Sequence, residues 1–308
     1  MNKIMWYKNF NMGSELEICG EFIYEAAREA YAFRDFHEHF VINKILYFAS
    51  AGIERLQKIL LCMYLFDSED AVNNAPDVFY QHRHMALHNL ITKHIALSEM
   101  KRNHLSLLQL LQDYYNNHRY GEFDLNYSSN DLIVAFVDYY KKIKGVDINP
   151  QSFVDPCEID SFKRLFVNYL GEIAQTYFLR IDNKATELGI FTTELTGTSN
   201  ANKVFRLLEK EKLWDLISLE SRALKELIIF LSRRSRKANI KKLIKCVSPL
   251  PLDGAMINEH LVDITRFKAS DDLTDLVYEC YSNIEPRRKA HERKKLVDLL
   301  GDPNTALD

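Results

Sequence analysis

Between residues 40 and 66 the apolar side chains Ile42, Ile45, Leu46, Ala49, Ile53, Leu56, Leu60 and Met63 recur at three- and four-residue spacings. That spacing is the repeat of one face of an α-helix and does not fit the two-residue alternation of a strand. At about 1.5 Å per residue such a helix runs roughly 40 Å, so its stripe can be covered only by other long helices. Gly and Pro together number 17 in 308 residues, too few for a turn-rich β-sandwich or barrel.

The rest of the chain repeats the pattern. Residues 14–34 place Leu16, Ile18, Cys19, Phe22, Ile23, Ala26 and Ala30 at helical spacing. The acidic stretch 67–76 interrupts it, and Pro76 with Asn74 or Asp77 supplies a new helix start. Further helices are predicted over 78–97, 99–117, 130–144 and 162–188. Short connections between long amphipathic helices favour antiparallel neighbours. The polar run 192–202 marks a boundary between a helical bundle, 1–190, and a C-terminal part, 191–308, with helices near 203–219, 222–233 and 240–247. The predicted fold is therefore all-α: an antiparallel helical bundle with an additional, mainly helical C-terminal region. No repeat of fixed period points to a solenoid.

Composition removes several function classes. A net charge of −3 does not suit a protein that coats nucleic acid by bulk charge, although a local basic patch is compatible with it. No run of about 18 apolar residues is present to cross a bilayer, so no membrane partner is expected. The start, MNKIMWYKNFNMGSE, lacks an apolar h-region with a cleavage site, and the cytoplasm is the expected location. Five dispersed cysteines without a C-x-x-C pair read as reduced, mostly buried thiols. The glycine signatures of P-loops, dinucleotide folds and serine hydrolases are absent, and no cofactor is expected.

The densest polar cluster is Gln81-His82-Arg83-His84-Met85-Ala86-Leu87-His88-Asn89. His84 and His88, four apart, share a helix face, with Arg83 beside them. Two imidazoles and a guanidinium suit metal-free RNA cleavage: one imidazole takes the proton of the ribose 2′-hydroxyl and the guanidinium meets charge growing on the phosphate. Imidazole fits because both protonation states are accessible near neutral pH. The spacing of His84 and His88 also suits helical zinc ligands, but Met85 stands where a zincin carries its Glu base, and no metal site is expected. Bare spacing decides nothing, since composition alone gives about one or two Arg-x(4 to 6)-His matches. The chain has two, the other being Arg34 to His39.

Context distinguishes them. A long helix containing GIERLQKILLCMYL, an acidic loop, and RHMALHNL opening the next helix resemble the HEPN superfamily (higher eukaryotes and prokaryotes nucleotide-binding domain). Its RNase members carry Arg, a polar residue, three variable residues and His, as Arg83, His84 and His88 do here. His88-Asn89-Leu90 resembles the His-polar-Leu that ends the motif, and Asn117 to Phe123 (NHRYGEF) resembles a segment found after it. The resemblance covers about residues 14 to 145.

The resemblance implies an all-α bundle and a metal-independent endoribonuclease. In it His88 is general base, Arg83 stabilises the transition state, and His84 orients substrate or carries a second proton. It further implies a homodimer joining two motifs in one cleft, and a role as toxin or antiviral-defence effector with an antitoxin or regulatory protein as partner. Many members lack RNase activity and serve as nucleotide-binding or protein-interaction modules, the alternative reading. In the C-terminal part Arg233, Arg234, Arg236 and Lys237 begin a basic run without acids, and Arg287, Arg288, Lys289, Arg293, Lys294 and Lys295 form another. Such runs either neutralise RNA phosphates or are solvated helix faces. The first four residues are the expected RNA-binding set.

Overall fold

The computed structural model describes residues 2–150, 152, 154–190, 199–205, 212–231, 247–257, 260 and 269–298. All regular elements among them are helical, so the fold is all-α. Longer helices are α1 (Met12–Ala32), α2 (His39–Leu65), α3 (His84–His94), α4 (Arg102–Asp113), α5 (Ser129–Lys144), α6 (Pro156–Glu187), α7 (Leu213–Leu231), α8 (Asp271–Ser282) and α9 (Arg287–Asp298). The chain falls into two compact units, Met1–Trp214 and Asp215–Asp308.

In the first unit α2 is the central element. The eight side chains of its stripe are buried, and each fully buried Leu or Ile contributes about 1.5–3 kcal/mol. After a short turn at 33–38, α1 and α2 pair along their lengths, and α3, α5 and α6 also pack on α2. Gly52 lets α1 approach, since a Cβ there would meet Ile23 Cγ1 at 2.8 Å. The aromatic rings of Phe33, Phe36, Phe136 and Phe162 meet edge to face at 4.6–6.3 Å, joining the 33–38 turn to α5 and α6.

Several boundaries differ from the sequence expectation, each for a tertiary reason. The helix expected over 78–97 is broken: a single turn, Asp77–Tyr80, is followed by extended backbone at Gln81, and the helix restarts at His84. His82 and His84 turn to α2 and hold the break open. Asp155 caps α6 by accepting from the Cys157 amide at 2.9 Å, with Pro156 at the first helical position. This starts α6 six residues ahead of the predicted 162. α7 is continuous where two helices were expected.

The division at 214/215 falls later than 190 because Asn200–Phe205 docks on α1. A Cβ on Gly20 would lie 2.2 Å from Ala201 Cα, so only glycine permits that approach, and Phe205 stacks on Phe178 of α6 at 4.8 Å. Of the described cysteines, Cys19 and Cys62 are buried while Cys157 is exposed.

In the second unit Ala223 and Leu227 of α7 pack with Leu250, Leu252, Leu273, Val277, Tyr281 and Ala290. A buried carboxylate, Glu226, is bound by Tyr281 Oη and by Arg293, whose guanidinium also reaches the Ser248 carbonyl. No described helix is long and apolar enough to cross a membrane.

Candidate functional site

The site is built on α2, because two polar residues interrupt its apolar stripe. Ser50 and Gln57 lie seven positions apart, two turns, and both are buried. Buried polar groups need partners, and α3 supplies them. His84 Nε2 is 2.9 Å from Ser50 Oγ, and Gln57 Nε2 donates to the His84 carbonyl at 3.0 Å. Together these bonds fix the first turn of α3 to α2.

The same Gln57 nitrogen donates to Tyr177 Oη of α6 at 2.9 Å, and Tyr177 Oη lies 2.9 Å from His88 Nδ1. Burial pushes the Tyr177 phenol well above its ordinary pKa, so it keeps its hydrogen. The amide orientation follows from its partner: a carbonyl oxygen only accepts, so Gln57 must turn its NH2 group to His84. Tyr177 oxygen therefore accepts from Gln57 and donates its own hydrogen to His88 Nδ1. In the neutral ring the remaining hydrogen then sits on Nε2. His88 retains 6% exposure, and Nε2 is not among the sealed, unpartnered polar atoms, whereas His84 Nδ1 is.

His84 and His88 thus have different environments on one face. His84 is fully enclosed, and burial lowers its pKa to about 4. It is neutral at pH 7 and out of reach of a substrate, in contrast to the proton-carrying or substrate-orienting role implied by resemblance. Burial also lowers the His88 pKa. Its ring is far more enclosed than a wet cleft would make it, with only the Nε2 edge outward.

Arg83 is the N-cap residue of α3 (φ −110°, ψ 88°) and exposed; its carbonyl accepts from the Leu87 amide at 2.9 Å, while its side chain makes no hydrogen bond or ion pair among the described residues. Non-helical backbone there frees its side chain from the angle of about 140° that five helical positions would impose. The side chain of Arg83 provides no cap, and Gln112 Oε1 of α4 instead accepts from the Met85 amide at 3.1 Å.

His82, which sequence reading left without a role, belongs to the same surface. It contacts the Glu54 carboxylate at 2.9 Å and stacks on Tyr115 with ring centroids 4.1 Å apart. Glu54 of α2 is buried beneath it. Burial alone would raise its pKa, but Lys58 at 2.7 Å and then His82 outweigh burial and hold the carboxyl below the ordinary value.

Other candidates are placed elsewhere. Arg34 and His39 are both exposed, at the α1–α2 turn. Arg233, Arg234, Arg236 and Lys237 lie outside the described residues. In the second basic run, Arg293 is spent on Glu226 and Arg288 bonds to Glu292 at 2.7 Å. An open depression of about 510 Å³ between α4 and α5 is lined by Asp113, Asp131, Asp138 and His118, and by none of Arg83, His84 or His88. No group of three or more His, Cys, Asp or Glu among the described residues could hold a metal ion.

Comparison of the chain with models of known protein families, with curated proteins and with solved structures finds no match.

Proposed function

We propose that the chain is a metal-independent endoribonuclease of HEPN type whose site is Arg83 and His88. The observation that carries this reading is an exposed, unpaired guanidinium at the first turn of α3 together with an imidazole, one turn on, whose inner nitrogen is held by a buried phenol. A ring positioned through one nitrogen and open at the other is the arrangement a proton-transfer group needs.

In the proposed reaction His88 Nε2 takes the proton of a ribose 2′-hydroxyl and the 2′-oxygen bonds to phosphorus. The bond to the 5′-oxygen then breaks, and that oxygen takes a proton from water. Arg83 binds the phosphate oxygens as charge grows on them. The products are a 2′,3′-cyclic phosphate and a 5′-hydroxyl. His84 is a positioning residue here, anchoring α3 to α2.

A non-catalytic RNA-binding module is the second reading, favoured by the Gln57–Tyr177–His88 chain. With Nε2 protonated in the resting ring, His88 is a donor to phosphate and not a base. Turning the relay over leaves the Tyr177 hydrogen without its present acceptor, at a cost of about 1–3 kcal/mol. That cost slows a nuclease without abolishing it.

Incubation of the protein and its His88→Ala variant with total RNA in EDTA separates the readings. Cleavage by the parent alone, leaving cyclic-phosphate ends, supports the enzyme; binding without cleavage supports the module. Cleavage that requires an added divalent cation would instead revive a metal-dependent reading. A homodimer, an antitoxin or regulatory partner, toxin or antiviral action, a cytoplasmic location and RNA contacts from Arg233, Arg234, Arg236 and Lys237 remain parts of the same proposal.

A further inference from the structure

Beyond the Arg83–His88 pair, an aromatic surface surrounds a second guanidinium that makes no ion pair among the described residues. At the end of α4 the chain widens into a π-helical turn, Tyr114–His118, closed by Arg119 N–H donating to the Tyr114 carbonyl at 2.9 Å. Such turns are rare and frequent at functional sites. This one brings the Arg119 guanidinium over Tyr115, 4.5 Å from the ring centroid. The same cation lies 4.9 Å from the ring of Tyr120 and 5.2 Å from that of Tyr47 on α2. Arg119 has no carboxylate partner among the described residues.

The surface is continuous with the motif. His82, adjacent to Arg83, stacks on Tyr115, and Phe123 lies 6.4 Å from Tyr120. Tyr120 is 63% exposed and Phe123 88%, although their loop is pinned. The Asp124 amide donates to the Gly121 carbonyl at 2.7 Å, and that of Tyr127 to the Asp124 carbonyl at 3.1 Å. A Cβ on Gly121 would collide with the Tyr127 ring at 2.4 Å, so this close packing requires glycine. The backbone that carries the two exposed rings is therefore fixed by the fold.

We propose that this face binds an unpaired, single-stranded stretch of RNA, with bases stacking on Tyr120, Phe123 and Tyr47 and phosphates on Arg119 and Arg83. The proposal deepens the endoribonuclease reading and rests on it for the nature of the polymer. Charge and shape choose the occupant. An apolar protein surface laid over these rings would bury Arg119 without a counter-ion, which is costly, whereas a strand of bases and phosphates satisfies rings and cation together. In a duplex the base faces are stacked inside the helix and unavailable to protein rings. With a net charge of −3 and Glu122 and Asp124 in the loop, this face must hold the strand by stacking and by its two arginines.

The test uses the full chain carrying His88→Ala, so that cleavage is suppressed, and a labelled unstructured twelve-nucleotide RNA offered single-stranded or as a blunt duplex. Expected are at least tenfold tighter binding of the single strand and at least about a fivefold loss on Tyr120→Ala with Phe123→Ala. Arg119→Gln should reduce the log–log salt slope by about 0.7, the share of one phosphate on a single strand. Both ring residues are exposed, and a circular-dichroism melt confirms that the variants fold.

Equal affinity for strand and duplex, or unchanged binding in the double variant, overturns the proposal. So does a dimer that the double variant dissociates while RNA affinity stays fixed, because the face would then be a subunit contact. Cleavage by the unmodified protein in EDTA is scored separately. If cleavage persists while the rings prove irrelevant, the enzyme survives and the platform falls; if single strands bind through the rings without any cleavage, the platform survives and the enzyme falls.

Discussion

Arg34 and His39 stand at the same separation as Arg83 and His88, and each pair lies at a helix start, yet the molecule treats them differently. His39 is the first residue of α2, exposed, with its ring edge-on to the exposed Phe40. Neither Arg34 nor His39 makes a side-chain hydrogen bond among the described residues. His88 is gripped through Nδ1 by Tyr177, itself held by Gln57. The difference is preorganisation: a free imidazole samples many orientations, whereas a ring fixed at one nitrogen presents the other in a single direction. Spacing nominates a residue, and the surrounding helices select it.

The largest effect expected from this contrast is on cleavage. His88→Ala should lower RNA cleavage at least about 100-fold, the usual share of a general acid or base, while His39→Ala and Arg34→Ala stay within about twofold of the parent. Because His88 is enclosed, truncation also costs stability through the lost Tyr177 bond, about 1–3 kcal/mol. His88→Gln, which can still accept from Tyr177, should be equally inactive and melt closer to the parent. A His39 variant that loses activity while His88→Gln keeps it would reverse the comparison.

Next in size is a pH effect on stability, from the ring sealed one turn before His88. Burial holds the folded pKa of His84 at about 4 against an ordinary 6.5. The neutral ring's stabilisation is therefore intact above about pH 6.5 and is lost as pH falls toward 4, because the unfolded chain takes up the proton first. The whole shift corresponds to roughly 3 kcal/mol, and the lowered pKa of His88 acts in the same direction. Urea unfolding at pH 7 and pH 4.5 should show the parent losing more stability than His84→Gln. Parallel losses would mean that His84 is not sealed.

Much of this scaffold could be read from the sequence, and what could not has a physical cause. The stripe on α2 was legible because eight side chains repeat one period. The break at 81–83 was not, because it is held by His82 on Glu54 and Tyr115 and by His84 on Ser50, partners 28 to 34 positions distant in the chain. Gln57 and Tyr177, which orient His88, were missed for the same reason. One local signal did exist: Ser50 and Gln57 fall on the apolar stripe, where a polar residue must find a buried partner. The Arg119 surface carried a fainter one, Tyr114, Tyr115, Tyr120 and Phe123 crowded around a charged residue.

A smaller effect, expected at about tenfold or more in cleavage rate, concerns the guanidinium. Arg83 is exposed, so Arg83→Lys should leave the thermal melt unchanged while impairing cleavage, since a point charge cannot reproduce a planar, two-pronged donor on phosphate. Arg34→Lys should change neither. Single-turnover rates at saturating RNA separate a loss in the chemical step from a loss in binding. An Arg83→Lys variant with a parental rate would leave Arg83 as a binding residue only.

The finest distinction between the two histidines is the position of one hydrogen. In the Gln57–Tyr177–His88 chain the phenol accepts from the amide and donates inward, so neutral His88 carries its hydrogen on Nε2; nothing comparable constrains His39. Nitrogen chemical shifts of the imidazoles at pH 8 should therefore show the Nε2–H form dominating at His88 and its Nδ1 shifted as an acceptor. Gln57→Leu removes the donor to Tyr177, whose oxygen can then accept from His88 Nδ1–H without accepting twice. The balance should move toward the form with a free Nε2 lone pair, and that form is the one able to take a 2′-hydroxyl proton. If the variant folds, its cleavage per folded molecule should rise by a few fold under the base mechanism, whereas a pure binding role for His88 predicts no gain. An Nδ1–H ring in the parent would mean that Tyr177 holds His88 ready as a base from the start, and the proton-transfer reading would lose its main energetic obstacle.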